Sequence, residues 1–336
     1  MRRALTLILG LTLVAAACGS DDSADTVATT TSTTVAATTT TTTAPPATTT
    51  TAQTMPEGIT FTGADGVEQT ITDSSTIISL NGDITEILFE LGVGDRIVAV
   101  DVTSTYPPQV QQLGRPLPPA RGFLVAEPVI GIGPALVIGD QQVGPPEVVE
   151  QIRAAGIPVA IIELQNELSG IRTKIETVAM LVGEEEAGAV LADRVDAEID
   201  EALQLAAQAA NTPGAAFVYA RGPEALLLFG PGSVTSALIT GANAIDTVLG
   251  PPVGPLTPEG LAAANPDVLI TTTDALGSLG GPAAFAALPG VAQTTAGQEE
   301  SLLVYDDALF LGFGPRTGEA LMALVLDLHP ELAENS

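Results

Sequence analysis

NELSGIRTKIETVAMLVGEEEAGAVLADRVDAEIDEALQLAAQAAN, residues 166–211, decides how the rest of the chain is read. Apolar residues recur at helical spacing at Val190, Leu191, Val195, Ile199, Leu203 and Ala206, with acidic residues between them, the pattern of a long amphipathic helix. Gly183-Glu-Glu-Glu-Ala-Gly188 interrupts the pattern. The spacing therefore predicts one helix over Ser169–Leu181, packed on what precedes it, and a second over Glu184–Asn211 that joins two lobes.

The flanking segments share one grammar. Leu124-Val-Ala-Glu127 followed by Pro134-Ala-Leu-Val-Ile138, and Leu256-Thr-Pro-Glu259 followed by Pro266-Asp-Val-Leu-Ile270, both read L-x-x-E, a short helical run, then P-x-[LV]-[VL]-I at identical spacing. Two homologous lobes are expected, one on each side of the helix.

Within each lobe, strands and helices alternate. The first lobe runs strand 76–80, turn and cap Asn81-Gly-Asp83, helix 84–91, strand 96–100, a long loop 101–119, the first Glu repeat, helix 147–155 and strand 158–162. The second runs strand 215–219, a Gly/Pro loop, helix 233–240, the second Glu repeat, strand 302–305, loop 312–317 and helix 318–328. Strand, helix, strand with short connections predicts parallel pairs and an α/β sheet, with ligands at the loops that follow strands. The fold class is α/β: two similar lobes joined by one long helix, with a cleft between them.

The 336 residues leave room for a core in each lobe, aliphatic ones, since apolar residues make up 46% of the chain and aromatics 3%. With 40 Asp plus Glu against 11 Lys plus Arg, the net charge of −29 argues against nucleic-acid binding, and an anionic ligand would need its own arginine. Arg2 and Arg3 precede an apolar run from Ala4 to Ala17, too short for a permanent span, which ends Ala-Ala-Ala-Cys18-Gly19 like a bacterial lipobox. Cys18 is expected to carry the lipid that anchors the protein outside the cytoplasmic membrane. The Thr/Ala/Pro-rich stretch that follows cannot build a core and reads as a tether, open to O-glycosylation. The expected division is 1–18 signal peptide, 19–58 tether, 59–165 first lobe, 166–211 helical segment and 212–333 second lobe.

The order of TEILFELGVGDRIVAVDVTSTYPP (85–108), GPPEVVEQIRAAGIPV (144–159) and GFGPRT (312–317) resembles the substrate-binding lipoproteins of ABC importers for haem, ferric siderophores and cobalamin, and within them the hemin-binding branch. The resemblance covers about residues 76–330. It implies a monomeric receptor on the outer face of the membrane that takes hemin in its cleft, haem being the cargo and not a catalytic cofactor, and hands it to a permease dimer and its ATPase.

Under that resemblance each residue acquires a role beside a plainer one. Glu127 and Glu259 would dock the two lobes on permease arginines; a helix N-terminal acid favoured by the macrodipole is the plain alternative, though it does not explain the shared register. Tyr219 would ligate ferric iron with Arg221 hydrogen-bonded to its phenolate, against a half-buried strand end and a solvated arginine. Tyr106, Arg121 and Arg316 are further cleft candidates, the arginines for ligand carboxylates, Arg316 helped by the helix start beside it. Members of the branch often carry Tyr or His just before the first Glu repeat, where this chain has Pro118-Pro-Ala-Arg-Gly-Phe123, and the lone His329 reads as a helix-end cation. Haem held by Tyr219 alone, or another ferric or corrin complex, fits that departure. An enzyme finds little support: the chain has no G-x-S-x-G or H-E-x-x-H, and its single cysteine lies at the leader. An envelope structural or adhesion lipoprotein would share the anchor and tether but would not need twin glutamates.

Overall fold

The computed structural model describes residues 58–114 and 116–335. Cys18, the signal peptide and the tether through residue 57 lie outside the described residues. A hairpin of β1 (Ile59–Thr62) and β2 (Glu68–Ile71) opens the described chain. Four parallel strands then form the first sheet, β3 (Ile77–Ser79), β4 (Ile97–Val100), β5 (Leu136–Asp140) and β6 (Val159–Ile162), in the order β4-β3-β5-β6.

The second sheet contains β7 (Gly214–Ala220), β8 (Leu226–Phe229), β9 (Ile245–Asp246), β10 (Val253–Pro255), β11 (Val268–Thr272) and β12 (Leu302–Tyr305). Its path is β10-β8-β7-β11-β12, with β9 beside the start of β7. Strands β7, β11 and β12 are parallel, and β8 and β10 add an antiparallel edge.

Helices cover both faces, as parallel sheets require. In the first lobe they are α1 (Gly82–Glu90), α2 (Ala126–Ile132) and α3 (Pro146–Ala154). Between the lobes lie α4 (Gly170–Val182) and α5 (Glu185–Ala206), separated by Gly183, whose φ of 75° lets the chain turn where a side chain would be strained. The second lobe carries α6 (Val234–Gly241), α7 (Pro258–Ala264), α8 (Thr273–Leu279), α9 (Asp307–Gly312) and α10 (Thr317–Leu328). No described helix is long and apolar enough to cross a membrane.

The core departs from one core per lobe. The largest cluster runs from Ile71 and Ile84 of the first lobe through Ile175, Val195 and Ile199 of α4 and α5 to Phe217, Phe310 and Leu324 of the second. Only the outer face of each sheet has a core of its own, around Val137 in the first lobe and Phe285 in the second. The periodicity of α5 is otherwise as the sequence implies, except that Val190 points outward at 68% exposure. His329 is no exposed cation either: fully buried, it sits within 3.0 Å of Asn211 Oδ1 and 2.9 Å of the Ala242 carbonyl, tying the end of the helical segment to the second lobe.

Helix α1 lies across the lobe boundary because its acids meet cations from outside its own sheet. Lys174 of α4 donates to Asp83 at 2.6 Å and to the Phe313 carbonyl at 2.9 Å. Arg316 forks Glu86 with two bonds of 3.0 Å, and Arg194 of α5 donates to Glu90 at 3.1 Å. Gly314 lies against Asp83, where an added Cβ would come 3.2 Å from the aspartate Cβ. The start of α1, after β3, thus touches the turn between α9 and α10, after β12, and the carboxyl ends of the two sheets face one cleft.

Two measurements check this packing. A Cβ on Gly318 would lie 2.5 Å from Glu198 Cβ where α10 crosses α5, so Gly318→Ala lowers unfolding stability by about 1–3 kcal/mol. Gly277→Ala, which meets nothing within 4 Å, leaves the melting temperature level or slightly raised; equal melting temperatures for the two variants would contradict the crossing. Burial pushes the Glu86 carboxyl above its ordinary 4.5, against the pull of Arg316. Folded Glu86 therefore holds its proton longer than unfolded, and its contribution to stability, present below the ordinary value, is lost as pH rises through the raised one. Denaturant titrations should show the stability difference moving in favour of Glu86→Gln as pH climbs from that ordinary value toward neutrality, and movement the other way would mean that Arg316 outweighs burial.

Candidate functional site

The first sheet reverses its winding at β3, so the crevice beyond the carboxyl ends of β3 and β5 is the natural place for a ligand. Asn81 and Asp140 close its base. Asn81 Nδ2 donates to Asp140 Oδ2 at 2.9 Å, and the Asp140 amide donates back to Asn81 Oδ1 at 3.0 Å. Asn81 is therefore a cross-strand clasp, and its side chain makes no capping hydrogen bond to α1.

A turn at residues 120–124 rests on this clasp. The Ala120 amide donates to the fully buried Asp101, the Gly144 amide donates to the Ala120 carbonyl, and the Leu124 amide donates to the Gly144 carbonyl. Gly122, at φ 74°, takes the left-handed conformation the turn needs. Arg121 reaches Asp140 at 3.5 Å with its own side chain 53% exposed. Burial pushes the Asp140 carboxyl up, Arg121 opposing it, and burial pushes Asp101 up against its hydrogen bonds from Thr103.

At the junction of the lobes the guanidinium of Arg316 lies 3.6 Å above the Tyr106 ring centre while it forks Glu86. Tyr106 and Arg316, two of the cleft candidates, are thus brought together. The anion at the α10 start is Glu86 of the chain itself, so Arg316 is a structural tie between lobes before it could be a ligand contact.

Across the cleft, Tyr219 sits half-buried near the end of β7. Arg221 Nε donates to its hydroxyl at 2.6 Å, with the guanidinium 5.4 Å from the ring centre. Phe229 of the neighbouring strand backs the phenol at 5.7 Å. Arg221 approaches Asp274 at 3.8 Å, and Asp307 in turn accepts from the Asp274 amide and from Thr272, fixing the α8 start. A phenol held by a guanidinium at a strand end can present its oxygen to a hard cation.

The cations separate by how tightly they are held. Arg2, Arg3 and Arg115 fall outside the described residues; every other Lys or Arg has a carboxylate within 4.0 Å. Arg121 and Arg221 are the most exposed, at 53% and 55%, and their carboxylates are the most distant, at 3.5 and 3.8 Å. Among the described residues the loosest positive charges flank the cleft, one from each lobe. Among the described residues no group of three His, Cys, Asp or Glu could hold a bare metal ion.

Glu127 and Glu259 occupy the first turns of α2 and α7, both exposed. Each helix ends at a left-handed residue, Gly133 or Asn265, and each is followed by a parallel strand, β5 or β11. Helices running back to parallel strands start at the strands' carboxyl ends, so both glutamates stand on the cleft side of their lobes. Sequence reasoning did not single out Asp140, Asp101 or Glu86; the first two are acids at the ends of apolar strands and Glu86 lies inside α1, signals visible only once the sheet order and the helix packing are known.

A family model described as periplasmic binding protein matches residues 77–309. The periplasmic heme-binding protein RhuT of Roseiflexus sp. RS-1, solved in apo form, is 39% identical, covering 77% of this chain and 99% of its own, with a TM-score of 0.74. The heme-binding protein HmuT is 33% identical over 81% of this chain and 90% of its own, TM-score 0.75. BhuT, solved in complex with two hemes, is 32% identical over 76% and 98%, TM-score 0.70. A vitamin B12-binding protein of Vibrio campbellii is 32% identical over 124 residues, a stretch spanning 37% of this chain and 44% of that relative. With its two α/β sheets facing one cleft and its match over residues 77–309, the chain belongs to the periplasmic binding protein family, whose members are substrate-binding proteins of importers and not enzymes.

Proposed function

We propose that the chain is the lipid-anchored receptor of an ABC importer, that it binds hemin in the interlobe cleft, and that it delivers hemin to a permease. The observation that carries the ligand is the 2.6 Å bond from Arg221 Nε to the Tyr219 hydroxyl at the cleft edge. That bond fixes the phenol oxygen at the strand end, an oxygen donor of the kind hard ferric iron prefers. Two of the solved HmuT structures replace by alanine a tyrosine and an arginine that stand two apart, as Tyr219 and Arg221 do here. Arg121 supplies an exposed guanidinium for a carboxylate on the ligand's edge.

Docking rests on Glu127 and Glu259, which share one register in two structurally equivalent helices. Single exposed ion pairs contribute only about 0–1 kcal/mol, so both lobes must engage together, with the lipid on Cys18 keeping the receptor near the membrane. The relative named for vitamin B12 supports a second reading, a corrinoid in the same cleft.

Hemin added to the purified protein shifts the Soret band, and Tyr219→Phe weakens its binding at least about tenfold, roughly 1.4 kcal/mol. An unshifted band together with binding of cyanocobalamin would replace hemin by the corrinoid. In cells, Glu127→Ala combined with Glu259→Ala abolishes hemin uptake at unchanged hemin affinity in vitro, whereas lost affinity would move those glutamates into the cleft.

A further inference from the structure

Around the carboxyl ends of β3, β4 and β5 stand four carboxylates, Asp83, Glu86, Asp101 and Asp140, and three cations, Lys174, Arg121 and Arg316. Lys174 is committed to Asp83 at 2.6 Å, and Arg316 forks Glu86. Asp101 and Asp140 are left to share Arg121, whose charge acts on both. Neither can turn to water, Asp101 being 0% and Asp140 3% exposed. With every group ionised, the seven carry one negative charge in excess.

The two acids differ in how firmly their charge is held. Asp101 accepts from the Thr103 hydroxyl at 2.6 Å, the Thr103 amide at 3.1 Å and the Ala120 amide at 3.3 Å. Asp140 has one neutral donor per oxygen, the Gln142 amide at 2.8 Å and Asn81 Nδ2 at 2.9 Å. Arg121 is its charged partner, yet at 3.5 Å it stands beyond good hydrogen-bond length. The other charges facing Asp140 are Asp83 of α1, which opposes its ionisation, and Lys174 of α4, already taken by Asp83. On the β6 side its neighbour is apolar Ile162, and Glu163 beyond that is exposed. A protonated carboxyl keeps acceptor capacity, so the Asn81 clasp survives neutralisation of Asp140. A ligand carboxylate reaching the half-exposed Arg121 can form the short charge-assisted pair that Asp140 does not. Asp140 is then a buried charge without a cation, a state that a proton relieves.

We propose that ligand binding exchanges Arg121 from Asp140 to a carboxylate of the ligand, and that Asp140 takes up a proton from solvent as it loses its cation. This rests on the hemin reading above, hemin carrying its carboxylates on one edge. A group protonated more readily in the complex than in the free protein makes binding tighter as pH falls through the window between its two titrations, with level affinity on either side. A ligand with no acid has nothing to exchange for, so the proton is a signature of acidic cargo.

Calorimetric titrations with hemin, in buffers of different ionisation enthalpy between about pH 5 and about pH 8, count the proton directly. Wild-type protein takes up more protons per hemin than Asp140→Asn, by up to about one, and its affinity gains up to about tenfold over Asp140→Asn per unit fall in pH. Comparing the two cancels the titration of hemin itself. Arg121→Gln also loses the extra proton, and its exposed position supplies the same comparison if Asp140→Asn does not fold. Hemin dimethyl ester, with the same ring and iron but no free carboxylate, binds wild type and Asp140→Asn with equal proton uptake. Equal uptake of protons with hemin by the wild type and both variants overturns the exchange, as does an Asp140-dependent proton with the ester. Those outcomes leave the hemin reading standing, whereas a wild type that binds no hemin removes both.

Discussion

The arrangement depends on the ion pairs that α1 makes with elements outside its sheet, buried at Asp83 and Glu86 and exposed at Glu90. Asp83, Glu86 and Glu90 lie on neighbouring turns of one helix, and each meets a cation from the interlobe helices or the second lobe. Buried ion pairs contribute little net stability, because desolvating both charges offsets most of their attraction, but breaking one leaves a charge stranded. Their effect is on geometry. A forked guanidinium and a lysine shared between a carboxylate and a carbonyl accept one relative placement of the lobes, which fixes the distance between Tyr219 and the 120–124 turn.

Charge scarcity sharpens the same point. In a chain of net charge −29 most cations among the described residues are consumed in holding the structure, at distances of 2.6–3.1 Å. The two described ones left partly free are those at the cleft. Local positive potential there comes from withholding tight partners from Arg121 and Arg221, with the long-range field of the protein remaining negative.

Much of the lobe plan was legible locally. The Glu repeats gave the α2–β5 and α7–β11 units because helix start, left-handed stop and buried strand each leave a mark within a few residues. The Gly183 break leaves its mark for the same reason, although α5 stops at Ala206 and does not run on to Asn211. What escaped was set by distant pairings: the Asn81–Asp140 clasp spans 59 residues and the Glu86–Arg316 fork 230. Arg316 looked available for a ligand because nothing near it in sequence announces Glu86. The hairpin β1–β2 escaped too, its four-residue strands being too short for alternation to stand out.

The shared central core bears on how this chain comes to be folded. Its walls are contributed by Ile71 near the start of the described chain and by Leu321, Leu324 and Val325 of α10 close to its end. A chain emerging from its amino terminus therefore exposes the inner apolar face of its first lobe until nearly the last helix has arrived. Such a surface is prone to aggregate while it waits. Completion of the fold waits for α10, and the lobes behave as one cooperative body although their sheets are built separately.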